Sequence, residues 1–91
     1  MKITIKLFGG LSERSGKREF TIEVKQDASV SEALAAIRAT YPETGDRLAD
    51  SLEAGYINIL LDGRNVRFLE GMDTKLRSEG VLAFLPPVGG G

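Results

Sequence analysis

The common side-chain equipment of a catalyst is missing from this sequence, which has no cysteine and no histidine. That removes thiolate nucleophiles, the usual zinc and iron–sulfur ligand sets, and the side chain most used as a general acid or base near neutral pH. The residues whose types and spacing suit chemistry are the last six, Pro86-Pro87-Val88-Gly89-Gly90-Gly91. The reactive group expected there is the carboxylate of Gly91. A carboxylate is a poor electrophile because its charge repels nucleophiles. Adenylation by ATP converts it to a mixed anhydride, from which sulfur gives a thiocarboxylate and a thiol or amine gives a thioester or amide. Glycines suit a chain end that must thread another enzyme's narrow channel, since they lack a Cβ and tolerate unusual dihedrals. Pro86-Pro87 hold the chain extended as it leaves the domain. A glycine run alone also suits a frayed end; the prolines before it favour presentation. Gly91 is therefore the expected reactive terminus, and Gly90, Gly89, Val88, Pro87 and Pro86 are the expected threading residues.

Something must hold that tail, and 91 residues make one domain. A chain of this size buries about 60–65% of its unfolded surface, enough for one core with little room for an internal pocket. The net charge is −1, with basic residues scattered among acids, so no field attracts nucleic acid or an anionic membrane. No apolar run approaches the roughly 20 residues of a membrane span. Met1-Lys2-Ile3-Thr4 leads directly into an alternating segment rather than a signal peptide. A cytoplasmic protein is expected.

Residues 2–8 alternate with the period of a half-buried strand, Ile3, Ile5 and Leu7 on one face and Phe8 on the other. Gly9-Gly10 break it, and Leu11–Lys17 read as a polar loop. Residues 18–25 form the second strand of a hairpin, with Phe20, Ile22 and Val24 inward. Ser29-Val30-Ser31-Glu32 matches a capping box. It opens a helix of about 11 residues whose stripe is Val30, Ala33, Leu34, Ile37 and Tyr41. Pro42 ends that helix. A short helix is expected at 46–52 and a third strand at 56–61. A tight turn follows at Asp62-Gly63, then a short strand at 65–68. Leu76 anchors the turn-rich stretch after it, and Val81–Leu85 form the last strand.

A hairpin followed by a helix buries one sheet face, and the last strand finds its partner beside the first. Those two strands run parallel, joined by the long crossover such pairing requires. The expected fold is α+β, a ubiquitin-like β-grasp. Its mixed sheet of four to five strands packs on one main helix. Residues 1–85 form the domain and 86–91 the extended tail. Phe84 and Leu82 point inward, which leaves Phe8, Leu60 and Leu85 on three neighbouring strands of the uncovered face. Burying each is worth about 1.5–3 kcal/mol, and apolar groups gathered on an open face mark a partner-binding patch. Single exposed apolar residues are ordinary, however, and a one-residue register slip would dissolve the group.

Two stretches carry a family resemblance. Asp62-Gly63-Arg64-Asn65-Val66-Arg67-Phe68-Leu69-Glu70-Gly71-Met72-Asp73-Thr74 and Ala83-Phe84-Leu85-Pro86-Pro87-Val88 with terminal Gly90-Gly91 resemble segments of the MoaD/ThiS sulfur carriers. The MoaD-like branch and its archaeal small-modifier relatives are most similar. The resemblance implies a non-catalytic carrier whose Gly91 carboxylate is adenylated by an ATP-dependent MoeB/ThiF-type enzyme and then thiocarboxylated. The chain itself binds no cofactor or metal; ATP belongs to the activating partner. The implied use is molybdopterin (molybdenum cofactor) biosynthesis, with a MoaE-like molybdopterin synthase large subunit and a sulfur donor such as a desulfurase or rhodanese as partners. The same tail suits a modifier conjugated to lysines, or a carrier for tRNA thiolation or thiamine. A plain binding module with an inert tail is the reading from a different class. One departure stands out: the turn before the last strand is Ser78-Glu79-Gly80, where the family usually has Asp-Gly-Asp/Glu.

Overall fold

Two alternating strands and a capped amphipathic helix leave one efficient way to bury their apolar sides, which is helix over sheet. This computed structural model describes residues 1–86, the side chain of Arg14 excepted, and takes that form. Strand β1 (Lys2–Leu7) pairs antiparallel with β2 (Glu19–Glu23), Ile3 opposite Ile22 and Ile5 opposite Phe20. Ile3, Ile5, Leu7 and Ile22 are buried, whereas Phe20 and Val24 are half-buried. Phe20 instead meets the Tyr41 ring edge-on at 5.0 Å, a favourable aromatic geometry.

The expected loop at 11–17 is mostly a short helix, α1 (Gly10–Ser15). Gly9 turns the chain into it at φ 60°, ψ −139°, and left-handed Gly16 closes it with an N–H bond to the Ser12 carbonyl. Leu11 packs half-buried against the core. The element was hidden because six residues are too few to display a helical apolar period.

Helix α2 (Val30–Thr40) starts at the expected cap. Ser29 Oγ accepts from the Glu32 N–H at 3.2 Å and the Ser29 N–H donates to Glu32 Oε1 at 3.0 Å. Val30, Ala33, Leu34 and Ile37 are buried on the sheet. Pro42 ends α2 and also begins α3 (Pro42–Glu53), which is longer than the expected 46–52 helix. Proline lacks an N–H, and the first helical turn leaves its N–H groups unbonded in any case. The two helices approach closely at Gly45, where a Cβ would stand 2.5 Å from Arg38 Cα. Arg38 Nε also bonds Asp46 Oδ1 at 3.0 Å.

Strand β3 (Asn58–Leu61) is shorter than expected, with Ile57, Ile59 and Leu61 buried. Asp62 and Gly63 turn the chain with φ 49° and 86°, the two positive values that a type I′ hairpin requires. The returning strand β4 holds only Arg64–Asn65, and the expected strand at 65–68 becomes a 3₁₀ turn at Val66–Phe68. Asn65 Oδ1 accepts the Arg67 N–H at 3.0 Å, a local bond that competes with strand pairing. A second 3₁₀ turn spans Gly71–Asp73, and Leu76 is buried as expected. In the unusual turn at 78–80 the left-handed position falls to Glu79, at φ 64°. Gly80 serves close approach instead, since a Cβ there would sit 2.8 Å from the Arg77 carbonyl oxygen.

Strand β5 (Val81–Leu85) lies at the centre of the sheet, in the order β2-β1-β5-β3-β4. It is parallel to β1, with Leu7 beside Phe84, and antiparallel to β3, with Ile59 beside Phe84. Leu82 and Phe84 are wholly buried. This is the expected β-grasp sheet, with five strands and α3 as an additional helix.

Candidate functional site: the outer sheet face and the chain exit

Because β1 and β5 are parallel neighbours, both end at the same edge of the sheet. The Phe8 N–H donates to the Phe84 carbonyl at 3.1 Å, so the ladder runs one residue beyond β1 and brings Phe8 alongside Leu85. Leu85 faces Asn58 across the other seam, and Leu60 faces Ala83 one step back. The three residues expected on the outer face therefore share it, with Leu60 diagonal to Leu85. Phe8 is 47% exposed. Leu60 and Leu85 are half-buried rather than open to solvent, because neighbouring strands shield them from both sides. Lys6 lies on the same face opposite Ala83 and approaches Glu19 at 3.9 Å. That exposed pair borders the apolar group on its β2 side.

Two positions near this edge were not singled out from sequence. Tyr56 is 69% exposed and, with Phe8, Gly10, Leu11, Ser51, Ile57 and Pro86, lines an open hollow of about 200 Å³. Gly9 backs onto Pro86, whose Cγ would stand 3.3 Å from a Cβ at that position. The parallel ladder of β1 and β5, continued one residue past Leu7 and Phe84, brings Gly9 to Pro86, and the antiparallel register of β3 with β5, Asn58 beside Leu85, brings Tyr56 to the same end of the sheet. Pro86 itself is exposed. Pro87, Val88, Gly89, Gly90 and Gly91 lie outside the described residues.

A displaced ionisation lies in another part of the molecule. A hydrogen bond from Lys25 and the Ser29 N–H hold the Glu32 carboxyl below its ordinary range. This is helix capping, remote from the chain exit. Among the described residues no buried side-chain nitrogen or oxygen lacks a partner, and no three potential metal ligands converge. No helix among them is long and apolar enough to cross a membrane. The geometry presents a face and an exit.

Residues 5–91 match the ThiS family model. The chain belongs to the ThiS family. It is 32% identical to small archaeal modifier protein 3 of Haloferax volcanii over 92 residues, covering all of both chains. The crystal structure of SAMP1 from Haloferax volcanii overlays with a TM-score of 0.80 at 30% identity, again over all of both chains. A chain from the complex of subunits 1 and 2 of the molybdopterin-converting factor from Helicobacter pylori is 27% identical, with a TM-score of 0.59 and full coverage of both. This family member is thus a ubiquitin-like protein whose relatives are small modifiers and sulfur carriers. The Helicobacter pylori relative is found in complex with a second subunit.

Proposed function

We propose that this protein is a sulfur carrier for molybdopterin biosynthesis. A MoeB/ThiF-type enzyme adenylates the Gly91 carboxylate: a carboxylate oxygen attacks the α-phosphorus of ATP and pyrophosphate leaves. The terminal sulfur of a persulfide on a desulfurase or rhodanese then attacks the acyl carbon and expels AMP. A cellular thiol reduces the resulting acyl disulfide, which frees the thiocarboxylate and leaves a disulfide between that thiol and the sulfur donor. A molybdopterin synthase large subunit receives the resulting thiocarboxylate across Phe8, Leu60 and Leu85. The observation that carries this reading is the construction of β5 in a ThiS family member. Leu82 and Phe84 lock the strand in the core, Leu85 turns to the outer face, and the sequence continues through Pro86-Pro87 to Gly90-Gly91. The full-length likeness to a chain of the Helicobacter pylori complex supports the choice of pathway.

The full-length relative named a small archaeal modifier favours a second reading, conjugation to lysines, which starts from the same acyl adenylate. Intact-protein mass after incubation with the adenylating enzyme, ATP and a sulfur donor tests the carrier. Exchange of one oxygen for sulfur is expected, and an unchanged mass refutes the reading for that enzyme. Digest peptides carrying a tail remnant on lysine, with no thiocarboxylate formed, would replace it with the modifier.

A further inference from the structure

Gly9 stands apart from the other described glycines. Gly16, Gly55, Gly63 and Gly71 also adopt positive φ, but a Cβ on any of them would meet nothing within 4 Å. Gly9 combines φ 60° with a neighbour, Pro86, whose Cγ and Cδ would lie 3.3 and 3.5 Å from the missing Cβ. Its backbone bends the chain into α1 and its bare Cα receives a proline ring. This contact falls where the sheet stops holding the chain. The Phe8 N–H bond to the Phe84 carbonyl continues the ladder past β1, and Pro86 has no N–H with which to extend it. After Leu85 the ladder no longer holds the chain, and Pro86 lies against Gly9 while lining the same open hollow as Tyr56 and Phe8. The proline ring also fixes φ at Pro86 itself.

We propose that Gly9 is a positioning residue: with Tyr56 and Phe8 it forms a seat for Pro86 that sets where and in which direction the tail leaves the domain. The inference rests on the activation of Gly91 proposed above. An enzyme that threads a chain must offset the entropy of ordering it, and a seated root leaves less to order. The effect belongs in KM for the carrier rather than in kcat.

The test is ATP–pyrophosphate exchange by the adenylating enzyme with wild type, Gly9→Ala, Pro86→Gly and the double variant, alongside thermal unfolding. Pro86→Gly is expected to raise KM roughly three- to tenfold with kcat and Tm near wild type. Gly9→Ala is expected to raise KM and also lower Tm, because alanine is strained at this φ. The double variant should show no further rise in KM over Pro86→Gly, the signature of a shared contact. An unchanged KM in Pro86→Gly, or additive KM effects, overturns the seat. Absence of exchange with wild type would overturn the activation reading instead. The seat is then read from nuclear Overhauser contacts between Gly9 Hα and the Pro86 ring protons, whose absence refutes it.

Discussion

Strand β5 sends Leu82 and Phe84 to one side and Ala83 and Leu85 to the other, and the two sides have different surroundings. Inward, α2 and α3 cover the sheet, and Ile3, Ile5, Leu82 and Phe84 lose all contact with water. Outward, no second layer is formed by the described residues; Phe8 keeps nearly half its surface, and Leu60 and Leu85 are half-buried. Similar side chains on one strand therefore contribute to different things. The inner set holds the domain together, because its apolar area is removed from water on folding. The outer set has area left to bury, and a partner can supply that burial.

Substitutions that separate stability from association test this division. The largest loss is expected for Phe84→Ala, about 3–5 kcal/mol from a cavity at the centre of the sheet, measured by urea unfolding. If Phe84→Ala costs no more than Leu85→Ala, the two faces are not distinct. Gly45→Ala probes the helical layer over the inner face. Better helix propensity favours alanine by up to about 1 kcal/mol, but the Cβ would collide with the Arg38 backbone, and overpacking costs about 1–3 kcal/mol. A net lowering of Tm is expected, and a rise would show that α2 and α3 separate easily. On the outer face, Leu85→Arg should move stability by no more than about 1 kcal/mol. It should nevertheless weaken binding to a molybdopterin synthase large subunit in titration calorimetry; unchanged binding would detach the patch from its proposed use.

The smallest effect belongs to Glu32→Gln, which keeps the capping geometry and removes the charge. The Glu32 carboxyl is lowered chiefly by Lys25 and then by the Ser29 N–H. Its contribution is therefore present above the unfolded carboxylate pKa and disappears as pH falls through the lowered folded value. Unfolding midpoints of wild type and variant should differ slightly near neutrality and converge in acid. A gap that widens in acid would contradict the assignment.

What the sequence made readable follows from how local each signal was. Alternation at 2–8 and 18–25, the capping box at Ser29 and the Asp62-Gly63 turn each involve neighbours in the chain, and each feature appears where expected. Helix α1 escaped because a single turn and a half carries one apolar residue, Leu11, and no period. Pro42 reads as a stop for α2, although proline suits a helix start equally well. The strand expected at 65–68 gives way after Asn65 to a 3₁₀ turn in which Asn65 Oδ1 accepts the Arg67 N–H, a local bond that alternation does not encode. At the candidate site, the grouping of Phe8, Leu60 and Leu85 was legible from face alternation plus strand order. Their degree of shielding was not, since it depends on neighbours across two seams. The approach of Gly9 to Pro86 joins the two ends of the sequence and becomes visible only with the parallel register of β1 and β5 in place.

The central claim is that the domain is a holder and that its chemistry is completed on Gly91 by another protein. Arg77 is the last basic residue, so trypsin releases the tail as the peptide 78–91. Fragment masses of that peptide, taken after reaction with the adenylating enzyme, ATP and a sulfur donor, locate the modification directly. The account predicts one oxygen replaced by sulfur, confined to Gly91. Sulfur on any other residue, or a peptide left unchanged while the enzyme consumes ATP on this protein, would contradict it.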